Sequence, residues 1–357
     1  MSVRIKLQEP DLARRHRIGK AFEWLCCGST WFGIVVLGIL LMSVAWKAMT
    51  WPAPKAMTAT AQATPDKAQP SPPPLSKKFF TNYHSRNPRE AGLLSALWGS
   101  LWLTMLVALF SVPIGVGSAV YLEEYANEGQ LKRLIQLNLS NLAGVPSIVY
   151  ALLGMTAFVK MFGLFHKDEE KTLVVNLLFT TVDIPLPFDR TLISGALTLT
   201  LLVLPTVIVA SQEALRAVPS SIRTASYALG ATRWQTIRHQ VLPAALPGIM
   251  TGVILALSRA IGEAAPLMLI GALTYVAYTP GEITNVADIF KNPHGLLDAP
   301  FDKFTAIPLQ IYQWINQPKA EYSHVAAAGI VVLLSILLVM NTAAILIRHR
   351  FQKQTRW

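Results

Sequence analysis

Between residues 241 and 276 the chain carries only two charges, Arg259 and Glu263, in an otherwise uncharged and largely apolar stretch. They stand four residues apart, so on a helix they share one face and can pair across a turn. A charge near the middle of a bilayer costs about 2.5–3.5 kcal/mol on insertion scales, so the pair is expected to face the bundle interior or a water-filled path. Two chemistries fit. In a path, Arg259 would meet an anion while Glu263 keeps the empty site neutral; in a structural role, the two would lock helices together. Other chemistry-bearing residues are dispersed. The seven histidines, at 16, 84, 166, 239, 294, 324 and 349, stand singly. Cys26 and Cys27 are neighbours, which on a helix point about 100° apart and suit neither a disulfide nor a metal site. No P-loop, HxxxH, CxxC or GxSxG string occurs. The chain is therefore expected to hold no metal and to be no enzyme on its own.

The elements that position Arg259 and Glu263 follow from composition. Of 357 residues 52% are hydrophobic and only 14% charged, against about 25% charged in an average soluble domain. Mean hydropathy is +0.42. A bilayer core about 30 Å thick needs roughly 20 apolar residues in helix. Six stretches qualify: 24–46, 91–122, 134–159, 191–212, 241–276 and 325–347. Pro113, Pro146, Pro205 and Pro266 fall inside them, which membrane helices tolerate because neighbours satisfy the freed carbonyls. The first stretch is longer than the 7–15 residues of a signal-peptide core and reads as a retained anchor.

Six spans put both termini on one side. Basic residues crowd that side beside the spans: six in residues 1–20, then Lys132, Arg133, Arg216, Arg223, Arg233, Arg238, Arg348, Arg350, Lys353 and Arg356. By the positive-inside rule both termini are cytoplasmic. The net charge of +11 is thus mostly topology rather than a nucleic-acid footprint. On the outer side, residues 52–76 are rich in Pro, Ala, Thr and Gln, and read as a linker or as a strap for a partner. The outer loop 277–322 carries Ile311, Tyr312 and Trp314, which suit folding over the outer mouth of the bundle.

The cytoplasmic loop 213–240 reads as two short helices with an elbow. Pro219-Ser220-Ser221 offers a start, Ile222, Ala225 and Leu229 recur at helical spacing, and Gly230 is a natural stop. Thr232 and Gln235 form a capping box for the second helix. A short apolar-striped helix below the membrane suits a groove on a cytoplasmic partner, or equally an anionic lipid surface.

Several strings resemble type I ABC importer permeases, and the PstA family of phosphate importers in particular. Thr224-Ala225-Ser226, Gly230 and Leu242-Pro243 fall at the spacing of the family's EAA loop, with Thr224, Ser226 and Gln240 as departures. Arg259-Ala-Ile-Gly262-Glu263-Ala-Ala265-Pro266-Leu267 resembles the RxxGETAPL string of PstA. Pro113-Ile-Gly115, Tyr121-Leu122-Glu123-Glu124-Tyr125, Pro146-Ser147-Ile148-Val149, Val218-Pro219 and Gly248-Ile-Met-Thr251-Gly252 agree in order. The resemblance covers residues 91–275 and, more weakly, the last span. Val209 stands where these permeases commonly have Arg, which leaves room for a related oxyanion.

The resemblance implies an all-α polytopic fold of the bacterial inner membrane. Its expected parts are a cytoplasmic segment 1–23, an anchor 24–46, a periplasmic insertion 47–90, a permease core 91–276, a periplasmic loop 277–324, and a last helix with a basic tail 325–357. It implies a path through Arg259 and Glu263, and ATPase coupling through Thr224, Ala225, Ser226, Gly230, Leu242 and Pro243. The implied partners are a PstC-like permease, a PstB-like ATPase dimer and an extracytoplasmic phosphate-binding protein, besides membrane lipid. No cofactor is expected on this chain; ATP and Mg would sit on the ATPase. The alternatives are a sulfate or molybdate permease and a stand-alone secondary transporter.

Overall fold

The computed structural model describes residues 10–51, 73–161, 171–177, 180–186, 188–272, 275–284 and 293–354. Most of the Pro-rich stretch 52–76 lies outside the described residues, as do both chain ends. Among the described residues five helices are long and apolar enough to cross a membrane, and one bent pair can supply a sixth span. Helix α1 covers Pro10–Met49, α3 Leu94–Val120, α6 Leu192–Arg216, α9 Leu242–Gly262 and α13 Tyr322–Gln354. Pro113, Pro205 and Pro247 sit inside α3, α6 and α9 without ending them.

The core forms where α3, α6 and α9 pack. Gly248 and Gly252 let α9 approach α6 closely. A β-carbon added to them would stand 2.8 Å from the Ala214 Cβ and 2.4 Å from the Ala210 Cβ. Small residues four apart allow such contact in a membrane, where apolar burial between helices gives little drive. Ser258 Oγ donates to Asn341 Oδ1 at 3.1 Å, tying α9 to α13. Helix α1 stands apart. It touches α13, its outer end is held where Leu75 N–H donates to Ala48 O at 3.0 Å, and its apolar side chains are otherwise exposed, as lipid contact requires.

Two expected spans are broken, each at a proline. The stretch 134–159 is not one helix: α4 (Gln130–Ala143) and α5 (Ser147–Gly154, extended by a π-turn to Val159) meet at 102°. Pro146 biases the preceding Val145 away from helix, so the chain turns there. Tyr150 Oη donates to Leu142 O at 2.8 Å across the bend. The stretch 241–276 ends as a helix at Gly262 and resumes as α10, Ala265–Ile270. Gly262 is the residue four before Pro266, the position whose carbonyl a helical proline ring would strike. Left-handed Gly271 (φ +89°) then stops α10.

The end of the bundle opposite the 213–240 loop carries the smaller elements. In the loop after α5, strands β1 (Lys171–Leu177) and β2 (Thr180–Leu186) form an antiparallel hairpin with Lys171 opposite Leu186, an element not expected from the sequence. Helix α2 is Lys77–Thr81, α11 Pro293–Asp298 and α12 Ile307–Ile315. Trp314 of α12 is fully buried against α13 and Phe79, capping the outer end.

Beneath that cap His84 is buried, and Trp314 Nε1 donates to its Nδ1 at 3.0 Å. An indole can only donate, so Nδ1 must be unprotonated and the ring neutral. Burial holds the His84 imidazole below its ordinary value. Folding therefore favours the neutral ring. This stabilisation is fully present above about pH 6.5 and is lost as pH falls through the lowered value. The melting temperature of the wild type is expected to drop more between about pH 7.5 and 5 than that of His84→Gln, whose amide oxygen can still accept from Trp314. Equal drops would show that His84 does not titrate in this cap.

Candidate functional site

The sequence places Arg259 and Glu263 toward the bundle interior or a water-filled path; in the folded chain the pair lies at the end of α9, on a face this subunit leaves open. Arg259 lies in the last turn of α9 with its side chain 52% exposed, and Glu263 sits just past the helix end at 22%. Their closest approach is Nε to Oε1 at 3.6 Å, an ion pair without a hydrogen bond. The break at Pro266 is the cause. Glu263 keeps a near-helical φ (−83°) but has extended ψ (114°), so the chain leaves the helix immediately after the pair. Tyr150 of α5 lies within electrostatic reach of the guanidinium.

Arg259 belongs to an open stripe. Leu255, Arg259 and Gly262 are exposed at i, i+4 and i+7, one face of α9. Below Leu255 the same face continues through Gly252, Thr251 and Gly248 into an open cavity of about 540 Å³ between α6 and α9. Glu213 and Arg348 line that cavity, so charge marks its end nearest the 213–240 loop. An uncovered face of this length, with one cation set in an apolar wall, lets an anion contact Arg259 when a second wall closes the path.

The loop 213–240 folds as two short helices, α7 (Ser220–Ala228) and α8 (Arg233–Thr236). Gly230 takes φ +81°, with Gly230 N–H donating to Tyr227 O and Ala231 N–H to Ser226 O. That is a Schellman stop, and a β-carbon at Gly230 would strain it. The Thr232–Gln235 capping box forms in both directions, at 2.9 and 3.3 Å. Thr224 and Ala225 are exposed, and Thr224 Oγ1 donates back to Ser220 O. Ser226 Oγ meets Thr236 Oγ1 at 2.8 Å, bracing α7 against α8. Leu242 and Pro243 open α9.

The apolar stripe expected on α7 is divided. Ile222 packs on the core, whereas Leu229 is 89% exposed, alongside exposed Tyr227 and Trp234. Aromatic and aliphatic side chains left in water on a rigid loop tip are what an interface core requires. The sequence reading singled out neither Trp234 nor Tyr227 as a contact residue; each stands one residue inside the end of a short helix that flanks the Gly230 stop. Among the described residues, the site residues thus form two groups, Arg259–Glu263 at the Gly262 end of α9 and the α7–α8 tip beyond its Leu242 end. Among the same residues no group of three His, Cys, Asp or Glu side chains is placed to hold a metal.

Comparison with known proteins gives these groups a family. A profile described as "Binding-protein-dependent transport system inner membrane component" matches residues 111–356. The "Phosphate transport system permease protein PstA 1" of Mycobacterium tuberculosis is 32% identical over 74% of this chain and 72% of its own length. The "Probable ABC transporter permease protein YqgI" of Bacillus subtilis is 30% identical over 76% of this chain and 82% of its own. A bacterial ABC transporter that imports the acidic polysaccharide alginate, solved with its pentasaccharide-bound periplasmic protein, shares the fold. Its TM-score is 0.52 at 16% identity, over 92% of this chain and 94% of the other. The matched region takes in α3 from residue 111 on, α6, α9, the α7–α8 tip and the Arg259 stripe, and the chain belongs to the family of multi-pass inner-membrane permease subunits of binding-protein-dependent ABC importers.

Proposed function

We propose that this chain is the PstA-like half of an ATP-driven inorganic phosphate importer. The observation that carries the reading is one intramembrane cation, Arg259, on the open face of α9, in a chain 32% identical to a phosphate permease over most of both lengths. A PstC-like permease supplies the second wall over the Leu255–Arg259–Gly262 stripe. Two PstB-like ATPases, carrying ATP and Mg, receive the α7–α8 tip, with Leu229 and Trp234 as its anchors. A periplasmic phosphate-binding protein delivers the anion from the side of α12, and both termini lie in the cytoplasm. Arg259 then offers the passing phosphate charge-assisted hydrogen bonds, and Glu263 holds the guanidinium between turnovers.

The test is uptake by the purified complex in liposomes with its binding protein, offered phosphate, sulfate or molybdate with and without ATP. ATP-dependent phosphate uptake is expected. Uptake of sulfate but not phosphate would transfer the assignment to another oxyanion, a reading that Val209 favours by leaving a half-buried apolar side chain on α6 where relatives of the resembled family carry Arg. ATP-independent uptake by this chain alone would make it a secondary transporter.

A further inference from the structure

The cytoplasmic end of α3 does not simply stop. It widens into a π-turn, Tyr121–Tyr125, and three consecutive side chains of that turn reach three different elements. Glu123 accepts two hydrogen bonds from Arg216 of α6, Nε to Oε2 at 2.9 Å and Nη2 to Oε1 at 2.6 Å, and a third from Gln212 Nε2 at 3.0 Å. Glu124 accepts from Arg223 of α7, Nη2 to Oε1 at 2.6 Å and Nε to Oε1 at 3.1 Å. Tyr125 lies under Arg233 of α8, whose guanidinium carbon stands 5.6 Å from the ring centroid. Glu124 and Arg223 are also the more enclosed pair, with side chains 7% and 21% exposed.

Arg223 does more than pair with Glu124. Its Nη2 donates to Leu215 O at 3.0 Å, in the last turn of α6, and its Nη1 to Val218 O at 2.8 Å, in the turn that follows α6. One guanidinium thus joins the short helix α7 to the ends of both α3 and α6, the two helices whose packing forms the core. A planar fork with five fixed donors holds such a joint in one orientation, as a flexible ammonium would not. An ordinary surface ion pair is exposed, monodentate and nearly without effect on stability; this one is enclosed, and each described donor nitrogen of Arg223 has a partner.

We propose that the π-turn is the joint through which movement of α7 becomes movement of α3 and α6, with Glu124 and Arg223 as its positioning residues. Without the pair, α7 could shift on its connections while the core helices stayed behind. The inference rests on the proposed docking of α7 on an ATPase. It is tested in the assembled transporter by transport per ATP hydrolysed, a ratio that a residue needed only for folding does not change. Glu124→Gln is expected to lower that ratio by about tenfold or more while hydrolysis continues.

A second variant separates a joint from structural glue. In a background with Cys26→Ser and Cys27→Ser, Glu124→Cys with Arg223→Cys should be uncoupled until a short bifunctional thiol reagent bridges the two positions, and coupled afterwards. Wild-type transport per ATP in Glu124→Gln would overturn the joint. So would assembly lost in both variants and not restored by the bridge, which would make the pair a folding element only. Failure of the docking reading looks different: the wild-type complex itself would then show no ATP-dependent transport.

Discussion

Arg259→Gln is expected to cut phosphate uptake by the reconstituted complex by roughly 10- to 150-fold, the range that follows from losing a hydrogen bond to a charged group worth about 1.5–3 kcal/mol. Neutralising Arg259 also leaves Glu263 as the only charge on the stripe, where it repels the anion. The double variant Arg259→Gln, Glu263→Gln should therefore recover part of the loss. Assembly should survive both changes, because the Arg259 side chain is half exposed and its one ion pair is loose, at 3.6 Å. Initial rates of labelled phosphate uptake, read beside the size-exclusion profile of the complex, check both halves. Wild-type rates in Arg259→Gln would remove Arg259 from the path. Loss of the complex would instead revive the structural reading of the pair.

Gly252→Leu should abolish the folded subunit, and Gly252→Ala should weaken it measurably. The β-carbon alone would stand 2.4 Å from the Ala210 Cβ, so α6 and α9 must separate. Overpacking of this kind typically costs about 1–3 kcal/mol, and in lipid no apolar burial compensates it. Removing the opposing methyl is the control: Ala210→Gly should restore much of the stability of Gly252→Ala. Thermal midpoints in detergent and the yield of monodisperse protein report both effects. A Gly252→Ala protein as stable as the wild type would mean that the two helices have slack the structure does not show.

These two predictions differ in how early they could be seen. The string from Gly248 to Gly252 is visible as a family resemblance, but its partners Ala210 and Ala214 lie about forty residues away on α6. Arg259 is visible as an anomaly of charge in an apolar stretch, which the sequence assigns to the bundle interior or a water-filled path, and the structure leaves it on an open face of this subunit. The cost of a charge in lipid is a valid argument for a complete transporter. A subunit that forms one wall of a path presents that wall as its surface.

Four of the six spans and the two-helix form of the α7–α8 tip could be read directly. The Schellman stop at Gly230 and the Thr232–Gln235 box are made by residues within a few positions of one another, so local chemistry is sufficient to specify them. The breaks at Pro146 and Pro266 had local causes as well, but whether a membrane helix bends or merely tolerates a proline depends on what its neighbours can satisfy: Pro113, Pro205 and Pro247 are carried without a stop. The loose geometry of Arg259 and Glu263, the β1–β2 hairpin and the pairing of Glu123 and Glu124 with Arg216 and Arg223 emerged only from the folded chain. Those last contacts join residues 93 and 99 apart in sequence. Their formation rests on the packing of α3 against α6, a relation that periodicity and charge along a single chain do not encode.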